Sequence, residues 1–340
     1  MAYNKEKRKE VRSMGHWRWA QMALLAGCLL VTGCGGAASS AKPEAKQTVS
    51  ESAKAKVIES GMPVGQFDLK TGTVKLNSGY TMPIIGLGTW TLTGKTCENA
   101  VYEAIKSGDR LIDTALYYNN QEAVGRGVRR AIKDGLATRE QLFITTKITP
   151  YSFSDYGATI RECNEALGLE YIDLLLIHQR GRDEKKLYTA MEKAVEQGLV
   201  RSIGISNYYT PQEFDEMTKG RKILPAVIQN ERHISFQNTK LRDYVKQYGT
   251  VMEAWYPLGG RNHVRENLQN PEIVRLAKAY GKSAAQIILR WHLQTGFITI
   301  AGTDNPAYIK ENHDILDFSL SPEDLATIAK LDKGMRYENW

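Results

Sequence analysis

Short apolar runs of strand length alternate with amphipathic stretches of helical length through most of this chain, and that alternation limits the folds open to it. Eight runs read as strands, at 82–88, 110–115, 142–148, 171–178, 200–206, 225–230, 250–255 and 297–302. Stretches with helical apolar spacing lie between them, at 97–108, 121–135, 156–168, 187–198, 211–220, 239–249 and 270–296, most of them ending in glycine. Strands each followed by a helix, eight times over, predict an α/β fold of the closed (β/α)₈ type, a TIM barrel. Residues 67–76 alternate apolar and polar around Thr71-Gly72, with a further turn at Asn77-Ser78-Gly79. They predict an N-terminal β-hairpin ahead of the barrel. A doubly wound sheet is the other arrangement of such units. It usually carries a Gly-rich phosphate turn after its first strand, and GLGTWTLTG at 86–94 is not G-x-G-x-x-G.

The chain before residue 63 has a different character. Lys5, Lys7, Arg8, Lys9, Arg12 and Arg18 form a basic lead, followed by an apolar run of 13 residues from Ala20 to Thr32. That run is short for ~30 Å of hydrocarbon, which takes about 20 residues, and suits the apolar region of an export signal. Val31-Thr32-Gly33-Cys34 resembles a lipobox, so residues 1–33 are expected to be a lipoprotein-type signal peptide cut before an acylated Cys34. Leu25-Ala26-Gly27-Cys28 is a second match that leaves a very short apolar region, and a start at Met14 gives a more usual signal. Residues 34–62 hold almost no large apolar side chain and read as a disordered tether, with 63–340 as the barrel. A buried core helix or a basic tail is the other reading of the same lead. The expected location is the extracytoplasmic face of the cell membrane through the lipid anchor alone, or the cytoplasm if the signal is not used.

Of the net charge of +7, residues 1–33 carry +4 and residues 37–62 one more, leaving about +2 on the barrel. That is too little for a surface that tracks phosphates, so no nucleic-acid partner is expected. The four cysteines (Cys28, Cys34, Cys97 and Cys163) lie at neither metal-ligand nor framework spacing, and neither a metal nor a disulfide scaffold is expected. In a barrel of this kind the polar residues at the C-terminal strand ends face the active site. Here those positions are Trp90, Asp113 with Tyr118, Lys147, His178, Ser206-Asn207, Gln229 with Glu231, and Trp255. Each has a structural reading as a cap or packing residue, but several ionisable groups from successive strand ends point to chemistry. A Lys–Asp pair near a tyrosine is the arrangement expected where a phenol must lose its proton at neutral pH.

With those residues the chain resembles the aldo-keto reductases, from about Val74 to Trp340. MPIIGLGTW (82–90), LIDTALYY (111–118), TTKI (145–148), LLIH (175–178), GISNY (204–208), PAVIQNERH (225–233) and AWYPLG (254–259) each match a motif of that family. Tyr118 falls at the place of the signature tyrosine, and Tyr117 is one position too early. The resemblance implies reduction of small aldehydes or ketones to alcohols with NAD(P)H. It makes Tyr118, Lys147, Asp113 and His178 the catalytic residues, and Trp90, Tyr118 and His178 the substrate contacts. It gives the cofactor Gly88, Thr89, Asp113, Ser206, Asn207, Gln229, Trp255, Pro257, Leu258, Thr303, Glu311 and Asn312. Tyr118 would donate the proton, Lys147 would lower its pKa from about 10, and Asp113 would hold Lys147 charged. His178 would orient the carbonyl, and no obligate protein partner is inferred.

The chain departs from the family pattern at the last strand. Gly302 and Tyr308 stand where a Lys and an Arg usually grip the 2′-phosphate of NADPH, with Lys310 close by. NADPH is the expected cofactor with a weakened preference, and NADH use follows from losing the paired cations. After His178, Gln179-Arg180 replaces the usual pair, and Arg180 points to an acidic or polyol-like substrate. Ile228 stands where an Asn usually precedes the glutamine. A short connection from Gly259 to Asn270 predicts an open cofactor cleft, and a chain ending soon after Leu331 predicts little C-terminal loop over it. The rival function is a lipid-anchored barrel that keeps the fold without turnover and acts as a binding or scaffold protein.

Overall fold

The computed structural model describes residues 62–151 and 153–339. The expected signal, Cys28, Cys34 and the tether up to residue 61 lie outside the described residues. Within them, every one of the eight apolar runs forms a parallel strand of one closed barrel. The strands are β4 Ile85–Gly88, β5 Leu111–Asp113, β6 Phe143–Ile148, β7 Ile172–Ile177, β8 Val200–Ser206, β9 Val227–Glu231, β10 Val251–Trp255 and β11 Phe297–Ala301, and β11 closes on β4. Ahead of them, β1 Phe67–Asp68, β2 Thr73–Lys75 and β3 Thr81–Pro83 form an antiparallel sheet. The expected hairpin is thus a three-stranded meander, because the run at 82–88 divides at Ile84. Pro83 has no N–H for the barrel ladder, so the chain pairs back on β2 up to that residue and enters the barrel after it.

Strand parity sorts the core into two layers. Leu87, Ile112, Ile144, Leu175, Ile203, Ile228 and Met252 pack outward against helix residues such as Ala104, Val124 and Ile160. Their strand neighbours Leu111, Phe143, Leu174, Leu176, Val227, Val251 and Ile298 fill the barrel interior together with Val74, Leu76 and Met82. The small N-terminal sheet therefore plugs the lower end of the barrel. Asn77 donates to the carbonyls of Pro225 and Tyr248 at 3.0 and 3.3 Å, and Ser78 bonds Ser202 at 2.7 Å, which pins the plug in place.

The outer ring is α1 Gly94–Ser107, α2 Gln121–Lys133, α3 Tyr156–Leu167, α4 Glu184–Glu196, α5 Pro211–Thr218 and α6 Thr239–Val245, followed by α7 Gly260–Leu268, α8 Pro271–Tyr280, α9 Ala284–Gln294, α10 Pro306–His313 and α11 Pro322–Ala329. Two expectations change here. The stretch at 270–296 is two helices, broken at Gly281 (φ 62°) and restarted by a capping box between Ser283 and Gln286. The connection from Gly259 to Asn270 is largely helix α7. Its sequence, GRNHVRENL, carries too few large apolar residues to show a helical stripe, and its buried Asn267 instead donates to the Leu258 carbonyl at 3.2 Å.

The α2–α3 contact depends on one missing side chain. A Cβ on Gly125 would fall 1.8 Å from the Leu167 carbonyl oxygen, which Arg129 Nη1 also binds at 2.6 Å. Neither the carbonyl nor the helix end can retreat without losing that bond. Gly125→Ala is expected to lower the unfolding free energy by about 3 kcal/mol through overpacking, read from a reduced urea midpoint at unchanged slope. An unchanged midpoint would show that α2 and α3 separate freely.

Candidate active site

The parity that places Leu111, Phe143, Val227 and Val251 in the interior does the same for residues further along each strand. Asp113, Lys147, Gln229 and Glu253 consequently converge near the C-terminal end of the barrel, all buried. Lys147 Nζ donates to Asp113 Oδ1 at 2.5 Å and to the Thr114 carbonyl at 2.9 Å, and it lies 3.3 Å from Tyr118 Oη. These three partners match the three N–H bonds of an ammonium. Tyr118 reaches the pair from the 3₁₀ turn Leu116–Tyr118, which ends in the left-handed Asn119 (φ 54°). The four residues named from the sequence as catalytic are brought together: the His178 ring lies 5.5 Å from the Tyr118 ring, at 74° to it.

The electrostatics differ from expectation in one respect. Burial works against the charge on Lys147, but Asp113 and Tyr118 outweigh it and hold the ammonium above its ordinary pKa. Burial likewise pushes Tyr118 above its ordinary value; Lys147 pulls it down, yet Asp113 offsets that pull. The phenol of this pocket therefore keeps its proton, where the Lys–Asp arrangement alone pointed to a lowered pKa. Burial, then the nearby Lys147, lower His178 to about 3, so its ring is neutral at physiological pH. Among the described residues its Nδ1 has no hydrogen-bond partner.

Trp90 lies 4.8 Å from the Tyr118 ring, and Tyr117 stacks on Trp90 at 6.2 Å while standing 6.4 Å from His178. Tyr117 thus joins the aromatic wall. Its adjacency to Tyr118 in the chain was the signal available for it. Gln229 Nε2 donates to Asp113 Oδ2 and to Glu253 Oε2, both at 2.8 Å. Glu253 was not singled out from the sequence, although the strand that ends in Trp255 contains it.

The remaining residues matched to the cofactor form three groups. Ser206 Oγ is buried without a partner among the described residues, next to Asn207 in the left-handed region (φ 66°). An orphaned hydroxyl beside the buried Gln229 fits a primary carboxamide such as that of nicotinamide. Other side chains are engaged within the protein. Thr89 Oγ1 donates to the Asp113 carbonyl at 2.9 Å. Asn207 donates to the His178 carbonyl at 2.8 Å and accepts from Trp255 Nε1 at 3.1 Å and Tyr209 Oη at 2.9 Å. These bonds set the face that Trp255 presents. Backbone supplies the third group: Gly88 leaves 3.0 Å between an added Cβ and the Ile300 carbonyl, and the carbonyls of Pro257 and Leu258 accept from His292 and Asn267. Farther out, Thr303 Oγ1 accepts from Asn305 N, Glu311 bonds Ser283, and Asn312 is half-buried on α10.

Three expectations about the rim are corrected. Arg180 does not present a free charge to substrate, because Glu213 and Glu216 bind its guanidinium at 2.9 and 3.2 Å. The cleft is not simply open: beyond the end of β11, Arg261 of α7 donates to Thr91 Oγ1 on the loop after β4, joining two segments of the rim. The C-terminal segment also folds back. Tyr337 stacks between His233 and His263 at 3.8 and 3.7 Å, and Glu231 accepts from Glu338 N at 3.3 Å. Glu231, counted among the strand ends, therefore lies under this segment instead of facing the site.

Comparison with known proteins agrees with this geometry. The model of the aldo/keto reductase family matches residues 84–333. The NAD(P)H-dependent D-xylose reductase I,II of Candida tropicalis is 37% identical over 307 residues, covering 78% of this chain and 94% of that protein. The crystal structure of an aldo-keto reductase from a Medee basin deep-sea metagenome library superposes with a TM-score of 0.74 at 36% identity, covering 78% of this chain and 97% of its own. That of a Bombyx mori aldo-keto reductase in complex with NADP gives 0.73 at 33% identity, covering 78% and 94%. With a family match across the whole barrel, and the buried Asp113–Lys147 pair beside the half-buried Tyr118 and His178 at its mouth, the chain belongs to the aldo/keto reductase family and is an oxidoreductase.

Proposed function

We propose that this chain reduces small aldehydes or ketones to alcohols with NAD(P)H, and that Tyr118 supplies the proton. The observation that carries this reading is the single ammonium of Lys147, held by Asp113 and aimed at Tyr118 Oη. When bound, the nicotinamide supplies the hydride to the carbonyl carbon. The negative charge then develops on the carbonyl oxygen, and the residues of this chain act there. Tyr118 holds its O–H until that charge appears, because burial keeps the phenol protonated. As the proton passes to the carbonyl oxygen, the phenolate left behind faces Lys147, whose charge stabilises it without any rearrangement. Neutral His178 offers a hydrogen bond to the same oxygen, and Trp90 and Tyr117 wall the substrate side. Ser206 and Gln229 would hold the carboxamide, with Trp255 against the ring.

A non-catalytic barrel is the weaker reading. Burying Lys147 and Asp113 carries a desolvation penalty that apolar side chains of similar volume would avoid. The placement of Tyr118 and an unpartnered Ser206 beside that pair has a purpose only if substrate and cofactor arrive.

NADH use is part of the proposal. A Cβ at Gly302 would meet the Gly88 carbonyl oxygen at 2.9 Å, so no cation is accommodated there without a backbone shift. Tyr308 is 57% exposed and uncharged, and Lys310 is paired with Asp314 at 2.5 Å. The grip on a 2′-phosphate is thereby reduced. For the location, the basic lead, the 13-residue apolar run and the lipobox-like Val31-Thr32-Gly33-Cys34 support export and acylation of Cys34, leaving the barrel on the extracytoplasmic face.

Tyr118→Phe is expected to lower kcat by about 10²–10⁴-fold while nicotinamide cofactor still quenches Trp fluorescence, and turnover that survives would remove Tyr118 from the proton step. Measured with one carbonyl substrate at a fixed concentration, kcat/KM for NADH is expected to fall within about tenfold of that for NADPH. A preference for NADPH of several hundredfold would overturn that part. Metabolic labelling with palmitate should mark the wild-type chain and not Cys34→Ala, and equal labelling of the two would exclude Cys34 as the acylated residue.

A further inference from the structure

Glu253 is a buried carboxyl that the reduction described above does not use. It sits on β10 in register with Gln229 of β9 and is fully inaccessible to solvent. One of its oxygens, Oε2, accepts from Gln229 Nε2 at 2.8 Å; the other, Oε1, has no partner among the described residues. An ionised carboxylate needs donors at both oxygens when it is taken out of water. Protonated, the group leaves only a neutral O–H without an acceptor at Oε1, a smaller penalty than an unsolvated charge. With one donor for two oxygens, the bonding favours the acid over the anion.

The charge balance agrees. The groups that face Glu253 are Lys147 from β6, Asp113 from β5 and the amide of Gln229 from β9, while β11, on its other side, contributes no ionisable side chain. Lys147 and Asp113 already neutralise each other. A second anion would leave this enclosed space with an uncompensated negative charge, beneath the point where the carbonyl oxygen must become negative. Burial, reinforced by the charge on Asp113, pushes the Glu253 carboxyl up to about 8. It also lies in contact with the one side chain that touches both carboxyls: the amide nitrogen of Gln229 spans Asp113 Oδ2 and Glu253 Oε2, which fixes which end of that amide points at Asp113.

We propose that Glu253 is a positioning residue of the reduction, acting as a neutral acid that locks Gln229 onto Asp113, and that its ionisation in alkaline solution withdraws activity. On ionisation the proton goes to solvent and no other bond changes. The added charge opposes both the developing alkoxide and the loss of the Tyr118 proton. Tyr118 itself titrates above its ordinary value of 10, so its own ionisation falls at higher pH than this step. The inference rests on the reductase reading, and the tests separate the two.

Glutamine at position 253 is an uncharged stand-in for the acid, with an oxygen to accept from Gln229. In the wild-type full chain at saturating cofactor, kcat/KM for the carbonyl is expected to fall about tenfold between about pH 7 and about pH 9, since one tenth of the acid form remains one unit above its pKa. In Glu253→Gln the same ratio is expected to stay near one. An equal alkaline fall in both proteins overturns the proposal and leaves the Tyr118 assignment untouched. A second measurement does not depend on the variant folding: carbon-13 NMR of glutamate side-chain carboxyls in the wild-type chain should show one that titrates near pH 8. If every glutamate titrates below neutrality, Glu253 is ionised during turnover and the proposal fails, whatever the activity.

Discussion

A lysine ammonium with almost no contact with solvent is the constraint around which the upper half of this barrel is organised. Lys147 can stay charged there because Asp113 stands 2.5 Å away and the Thr114 carbonyl accepts a second N–H of the ammonium. Removing either charge would leave the other buried and uncompensated, a change that in general destabilises by about 3–5 kcal/mol. The pair depends on the β5–β6 register, in which Asp113 lies opposite Thr145, two residues before Lys147 on the same face. Barrel closure, strand parity and the surroundings of the Tyr118 phenol are therefore coupled. Tyr118 has its position from a turn of three residues, but its electrostatic surroundings come from β6.

Neutrality is a second theme of the same space. His178 is held uncharged by burial and by Lys147, Tyr118 keeps its proton, and the Lys147–Asp113 charges cancel. A site that starts near neutral responds strongly to the one charge that would appear during reduction, because Lys147 and Asp113 beneath it are shielded from solvent. Glu253 lies in the same space, and the Gln229 amide bonds both it and Asp113.

Around the mouth, many polar side chains are engaged in shaping the walls. Asn207 links β8, the His178 backbone, Trp255 and Tyr209. Arg261 bridges to Thr91, and the segment from Arg336 to Glu338 closes over Glu231. Contacts between segments that follow different strands therefore help the rim to hold its form.

The strands, and the helices α1 to α6, were legible in the chain because each buries a face over its own length: a buried parallel strand is an apolar run, and an amphipathic helix is a 3.6-residue stripe. The identities of Asp113, Tyr118, Lys147 and His178 as strand-end groups were legible for the same reason, since parity and strand ends are local properties. Helix α7 was not, because GRNHVRENL has too few large apolar residues to show a stripe and its one buried side chain is the polar Asn267. The break at Ile84 was signalled only by Pro83. What tertiary structure alone decided is which side chains meet across the barrel. Gln229 between Asp113 and Glu253, Tyr117 in the substrate wall, Tyr337 between His233 and His263, and Arg180 turned to Glu213 all join segments distant in the chain. Local periodicity sets the direction in which a side chain points. Its partner, and through that partner its charge, is set by closure of the sheet and the packing of the loops above it.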